Sequence, residues 1–498
     1  MAEAASVLYS FFTTTTLLWL FIGVGVGLII GLLPGLGTIP VYGILIPFTL
    51  HLNVLETIAL MLGIKGVTDT SGPITSVLFG IPGQSGAQAT VLDGYPMSQK
   101  GEADRALGAA YMASLLGGCI GAVVLALSIP FLRAIMMIFG LPEFFALSVV
   151  GIVLVSIVSS GSMVKGLMAG CAGALLGLVG QNPQTATIRW DFGQLYLLDG
   201  LPRVAIFVGM FGIPELIDLF VKGTSVSDVP FFPSFKKIYE GARDCFRNWG
   251  LLFFGTIMGL FLGAIPGLGG GRISWICYGL ARAFAKGAAE TFGKGDVRGV
   301  IVPEAANNSE EPGMVIPTMA FGIPGSPTMA MFLVALSLHG IQPGRALFLE
   351  HFDVVLTIVY VLFVANIIGA ATCLLFTKQL SKLASVKADV LVPMLLVLIV
   401  LAAYQSDVGD LVVLFSSGFM GWLMTRFRWP RAPLVLALVM APMTEQYYVL
   451  TALRYETLEW LARPIVIVFL VLAILIILSG IKQLREWIEK VCGRLVPR

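Results

Sequence analysis

From Thr16 to Leu33 the chain runs without one acidic or basic side chain, and apolar runs of similar character recur at Leu107 to Pro130, Phe144 to Ser159, Val204 to Val221, Trp249 to Ile265, Val354 to Phe376 and onward to Pro464 to Leu478. A helix needs about 20 apolar residues to cross a bilayer. Lipid offers the backbone no hydrogen-bonding partner, so such runs admit only helices or a closed barrel. Runs of this length and continuity fit helices. Composition agrees: of 498 residues 57% are hydrophobic and only 12% charged, with a mean hydropathy of +0.91, whereas a soluble domain carries roughly a quarter charged residues. The expectation is an all-α polytopic membrane protein with roughly 10 to 14 full or partial membrane segments. Residues 1 to 16 contain no Lys or Arg to form the basic start of a signal peptide, so the first run reads as a retained helix.

Several function classes fall away at once. The net charge is +2, and no basic patch reaches the density that nucleic-acid phosphates require. The six cysteines and three histidines stand singly, without metal-ligand spacing, which points to cysteines used as small packing residues. No HExxH or GxSxG motif suggests a membrane enzyme.

Two halves of the chain read alike. The segment GLLPGLG at Gly31 to Gly37 matches GAIPGLG at Gly263 to Gly269, and FGIPG at Phe79 to Gly83 matches FGIPG at Phe321 to Gly325. A third echo pairs Arg105-Ala106-Leu107 with Arg345-Ala346-Leu347. Landmarks in the same order imply a duplicated fold. No basic residue precedes the first PGLG helix, but Lys222, Lys236, Lys237, Arg243 and Arg247 precede the second. Positive residues gather on the cytoplasmic side. The expected architecture is therefore two inverted-topology repeats, residues 1–222 and 249–498, joined by a cytoplasmic linker over 223–248, with the N-terminus outside and the C-terminal tail inside.

Proline and glycine inside an apolar run break the helix there, and such breaks persist in a membrane only against protein or a water-filled cavity. A broken helix aims free N–H groups at an anion and free carbonyls at a cation. The GIPG residues Gly80, Pro82, Gly83, Gly322, Pro324 and Gly325, with the neutral side chains of Gln84, Ser85, Ser326 and Thr328, are thus the candidate substrate contacts. Pro34, Gly35, Gly37, Pro266, Gly267 and Gly269 of the PGLG segments are candidates for a co-transported cation, Na+ or H+. The alternative for GIPG is a pair of tight turns outside the membrane. Lys65 could neutralise an anionic substrate or pair with Asp69 one helical turn away. Asn307 and Asn308 could serve as amide ligands or as caps in a surface loop. Glu310 and Glu311 would repel an anion, which leaves them outside the proposed site.

These segments, together with DGYPMSQKGEADRALG (Asp93 to Gly108), GKGDVRGVIVPEAANNSEEPG (Gly293 to Gly313) and GIPGSPTMAMFLVALSLHGIQPG (Gly322 to Gly344), resemble the large membrane subunit of the tripartite tricarboxylate transporters, the TctA family. The resemblance implies a multi-pass subunit of the bacterial inner membrane, not an enzyme. It implies two partners, a small TctB-like membrane subunit and a periplasmic TctC-like solute-binding protein that delivers a small organic acid. It implies uptake driven by an ion gradient. Among the motif positions it also marks Asp93, Gly94, Glu304 and Pro343. Lys65, Asp69, Glu310 and Glu311 depart from the family pattern, which leaves the substrate open. A substrate-selective channel or a polytopic membrane enzyme are the alternatives.

Overall fold

The structure is a computed structural model that describes residues 15–33, 37–158, 162–222, 233–383, 388–404, 407–455 and 457–479. Pro34, Gly35 and the basic C-terminal tail lie outside the described residues. Seven described helices are long and apolar enough to cross a membrane, eight if one pair bent by 77° counts as a span, and five more apolar helices are 10–17 residues long. Their outward faces carry large apolar side chains such as Leu127, Phe131 and Leu375. Full and partial segments together reach the expected range. The chain is an all-helical, multi-pass membrane protein, and the described strands amount to one short hairpin, β1 (Gly180–Gln181) with β2 (Ile188–Arg189).

In the first half, α1 (Thr15–Leu32) turns back through α2 (Thr38–Thr49). Then follow α3 (Val54–Ser71), α4 (Pro73–Phe79), a 3-10 turn at Ser85–Gln88, α5 (Val91–Gln99), the long α6 (Ala103–Ile138), α7 (Leu141–Val158) and α8 (Met163–Gly177). After the β hairpin, α9 (Arg203–Phe207) continues through a π-helical turn into α10 (Ile213–Lys222). The second half holds α11 (Phe235–Arg247), α12 (Trp249–Gly263), α13 (Gly270–Phe284), α14 (Ala288–Thr291) and α15 (Arg298–Phe321). It ends with α16 (Pro327–Leu338), α17 (Arg345–Glu350), α18 (Phe352–Leu383), α19 (Ala388–Ala403), α20 (Val408–Arg426), α21 (Arg431–Arg454) and α22 (Pro464–Ser479).

The two halves share a packing unit. On α1, Gly23, Gly27 and Gly31 lie against the carbonyls of Leu60, Ile64 and Thr68 on α3. On α12, Gly255, Gly259 and Gly263 lie against those of Val302, Ala306 and Glu310 on α15. Counted back from Gly80 and Gly322, the contacted residues occupy equivalent positions. Small residues at four-residue spacing let backbones approach where apolar side chains would gain nothing over lipid. Each pair runs parallel, since both members rise in number along the contact. The units then meet across their centres: α3 packs on α18, α15 on α6, and α6 on α18. Asn308 bonds Thr70 while Lys65 faces Glu311, so α3 and α15 cross with opposite chain directions.

The Arg-Ala-Leu echo does not mark equivalent positions. Arg105 sits in the first turn of α6, whereas Arg345 opens the separate helix α17 ahead of α18. The stretch read as a linker also holds structure, because α11 has one apolar face, with Ile238, Ala242 and Cys245 buried. It docks along α6, where Arg105 Nε donates to Asp244 Oδ2 at 2.7 Å and Cys245 Sγ to the Ala109 carbonyl at 3.2 Å. Of the described cysteines, Cys245, Cys277 and Cys373 are buried as packing residues, while Cys171 is exposed.

The glycine contacts generate a test. A Cβ on Gly27 would lie 2.3 Å from the Ile64 carbonyl oxygen and one on Gly259 2.3 Å from that of Ala306, whereas nothing lies within 4 Å of one on Gly25. Gly27→Ala and Gly259→Ala should therefore each lose about 1–3 kcal/mol of stability, read as a lower thermal transition in detergent. Gly25→Ala should leave the transition unchanged.

Candidate functional site

The two GIPG segments end helices in the same way. Gly80 and Gly322 adopt φ of 68° and 67°, the left-handed conformation that closes α4 and α15, and a Cβ is strained there. The chain then turns and restarts. Gln84 accepts from the Gly86 N–H at 2.7 Å to open the 3-10 turn, and Ser326 accepts from the Met329 N–H at 3.2 Å to open α16. Two expected ligands thus serve at least in part as helix caps. The Gln84 amide nitrogen keeps no partner.

Both breaks open onto one cavity of about 520 Å³. The first contributes Ser85 and Gln88, the second Gly325, Ser326 and Pro327. Gly267 and Gly269 of the second PGLG turn complete that wall, and the Gly267 N–H donates to the Gly325 carbonyl at 3.0 Å. Three α-helices present their first residues here: α13 at Gly270 and Gly271, α16 at Pro327 and α21 at Arg431. The N-terminus of a helix carries a partial positive charge, which suits an anion; at α16, Pro327 has no N–H and the Met329 N–H is taken by Ser326.

Two arginines border the same space. Arg272 donates to the Val158 carbonyl. Arg431 donates to the Met210 carbonyl at 3.0 Å and lies 4.9 Å over the Phe211 ring. Each guanidinium has five donors in a fork that matches a carboxylate. Sequence reading missed both residues. Arg272 stands three residues beyond the PGLG segment, close enough to have been noticed, but nothing in the local sequence of Arg431 ties it to the breaks.

Other expected site residues lie elsewhere. Pro82, Pro324, Pro266 and Thr328 do not line the cavity. Gly83 packs behind it, a Cβ there falling 2.2 Å from the Gly31 carbonyl oxygen. The Gly37 N–H donates to Glu215 Oε2 at 3.4 Å. Gly94 packs on Val77. Pro343 lines a different cavity. Asp93 ties the halves together: its Oδ1 accepts from the N–H groups of Gly293, Gly295 and Asp296 at 2.8–2.9 Å, and its Oδ2 from the Tyr278 hydroxyl at 2.8 Å. Glu304 accepts from Thr90 and Ser114, with the second bond at 3.3 Å.

Behind the cavity lies a buried charged cluster at the crossing of α3 and α15. Lys65 Nζ pairs with Asp69 and lies 3.2 Å from Glu311 Oε2. Lys65 and Asn307 precede their GIPG glycines by the same number of residues, and so do Asp69 and Glu311. The lysine therefore bridges two acids that the repeat relates to each other. Glu310, also buried, lies against Gly270 at the start of α13. Asn308 donates to Thr70 and to Asn366, both at 2.8 Å, and Asn307 packs on Gly86 with its side-chain amide unpartnered. These asparagines sit in the interior of a continuous helix, where the loop-cap alternative does not apply. Among the described residues, no group of three or more His, Cys, Asp or Glu is disposed to hold a metal ion.

Lys65 has two acidic neighbours, which makes the single variants unequal. Removing one member of a buried ion pair costs about 3–5 kcal/mol, so Lys65→Gln, which leaves three carboxyl groups without their ammonium, should sharply reduce membrane abundance and thermal stability. Asp69→Asn should cost less, because Glu311 still meets the lysine. Equal loss in both variants would contradict this arrangement.

Comparison with known proteins follows the same lines. A family model described as the tripartite tricarboxylate transporter TctA family matches residues 17–436. An Agrobacterium vitis protein described as an uncharacterized 52.8 kDa protein in the TAR-I ttuC' 3'region is 30% identical over 441 residues, which is 87% of this chain and 86% of the relative. A second from the same organism, described as an uncharacterized protein in the TAR-II ttuC' 3'region, is 27% identical over 155 residues, 31% of this chain and 64% of the relative. No solved structure matches. With the motifs, the helical membrane architecture and a family match over most of its length in agreement, the chain belongs to the tripartite tricarboxylate transporter TctA family.

Proposed function

We propose that this chain is the large permease subunit through which a small organic acid crosses the bacterial inner membrane. The supporting observation is the convergence of both GIPG breaks, three helix N-termini and two arginines on one cavity. N–H groups and guanidinium donors together suit carboxylate oxygens, with the guanidinium supplying the counter-charge. A periplasmic binding protein delivers the acid, and a small membrane subunit completes the assembly. Family membership supports a multi-subunit transporter of this kind.

The opposed directions of α3 and α15 support inverted repeats, and basic residues orient them. Arg426 and Arg428 precede Arg431, and Lys165 donates to the Phe427 carbonyl at 3.0 Å. By the positive-inside rule this mouth faces the cytoplasm. Of the two expected driving ions, Na+ and H+, the proton fits the buried cluster of Lys65, Asp69, Glu310 and Glu311, whose acids are not disposed to hold a metal ion. Three carboxyl groups against one ammonium leave an excess of negative charge that burial makes costly unless a cation or proton offsets it. This moves the ion from the PGLG turns to the helix crossing behind them.

Ser85 and Gln88 are exposed within the cavity, so bulky replacements there can fill it without disturbing the core. Ser85→Phe and Gln88→Phe should each lower uptake of labelled di- and tricarboxylates about tenfold or more, since transport depends on placing the substrate within the site, at unchanged membrane abundance. Full uptake by both variants would reject the site. In cells carrying all three components, uptake should stop when the ion gradient is collapsed or the binding protein is omitted. Flux that persists under both conditions would identify a channel instead.

A further inference from the structure

Two helices connect the central cavity to a second one. α16 begins with Pro327 at the first and brings Ser337 to the second; α21 begins with Arg431 at the first and brings Glu445 to the second. The second cavity encloses about 490 Å³ beneath the segment that holds the β hairpin. Between the two, Met329 to Phe332 on α16 and Leu434 to Ala437 on α21 are buried and apolar. This layer separates the cavities.

Four charged side chains line the second cavity: Arg189, Asp199, Arg203 and Glu445. Arg189 and Glu445 form a two-point pair, with Nη2 to Oε2 at 2.9 Å, so their charges offset each other, while Arg189 Nε keeps no partner. Asp199 is exposed and solvated. Arg203, at the start of α9, is partly buried, and among the described residues its guanidinium makes no hydrogen bond or ion pair. Gln181, Gln184, Gln342 and Gln446 add neutral amides around the same space. A withdrawn guanidinium with five uncommitted donors, in a cavity of small-molecule size, matches a planar carboxylate.

We infer that this cavity is a second anion subsite, in which Arg203 binds a carboxylate of the transported acid before it reaches the broken helices. Its position at the other end of α16 and α21 places it on the face opposite the Arg431 mouth. The choice of a carboxylate ligand rests on the proposed function, but the subsite does not depend on the central cavity being open.

Cysteine protection tests it. In a chain with Cys171 and Cys492 changed to Ser, Gln184→Cys places a thiol in the second cavity, and citrate serves as the probe, with sodium chloride as the ionic-strength control. Saturating citrate should slow maleimide labelling about tenfold or more. Arg203→Gln should abolish that protection with labelling in the absence of citrate unchanged, and Arg203→Lys should restore part of it. Protection should persist when Ser85→Phe fills the central cavity, which separates this subsite from the site of the proposed function. Failure of citrate to protect the chain with Arg203 intact would overturn the inference. So would equal protection in Arg203→Gln, or loss of protection on filling the central cavity. Should Arg203→Gln fail to fold, the intact-Arg203, Arg203→Lys and Ser85→Phe arms decide the matter.

Discussion

The structure depends on backbones being able to touch. Gly23, Gly27 and Gly31 on one side, and Gly255, Gly259 and Gly263 on the other, let α1 and α12 lie directly on the carbonyls of α3 and α15. Within lipid, apolar side chains give helices little reason to associate, and close contact with its dispersion gain must supply that reason. The same contact delivers the ends of these helices to the protein interior. The chain can then afford a helix break at PGLG, because the freed backbone groups find protein partners, as the Gly267 N–H finds Gly325. A break without this support would expose unsatisfied polar groups to hydrocarbon.

Much of this was legible before the structure. The apolar runs gave the membrane class, and the two GIPG segments with the second PGLG segment located the breaks that meet at the cavity. The four-residue glycine spacing was equally present in the sequence but went unread, since its meaning comes from the carbonyls it faces on another helix. Gln84 and Ser326 were recognised as polar residues next to breaks, yet their short-range partners, the N–H groups of Gly86 and Met329, claim them as caps. Arg431 could not be found by local reasoning. It reaches the cavity only because α21 begins there, a consequence of long-range packing.

The repeat is imperfect where charge is concerned. Both halves place an acid at the equivalent position, Asp69 and Glu311, but Lys65 has Asn307 as its counterpart. One ammonium thus meets acids from both halves at the helix crossing. Without the lysine, the acids would repel each other with nothing to offset them. The single lysine is thus shared between the halves rather than repeated in each.

The Asp93 contact constrains how the halves can move. One carboxylate oxygen receives three N–H groups from the loop ahead of α15, and the other receives Tyr278. Hydrogen bonds to a charged acceptor are each worth about 1.5–3 kcal/mol, so these four bonds hold α5 firmly to the loop ahead of α15. Were the halves to rotate against each other, this contact would be the fulcrum. A small rotation about it leaves α5 and the Gly293 to Asp296 loop together and accumulates displacement toward the far end, where Thr57 and His339 meet through a single hydrogen bond. The lever arm, set by the length of α3 and α15, would turn a slight tilt at the clamp into the opening of one face.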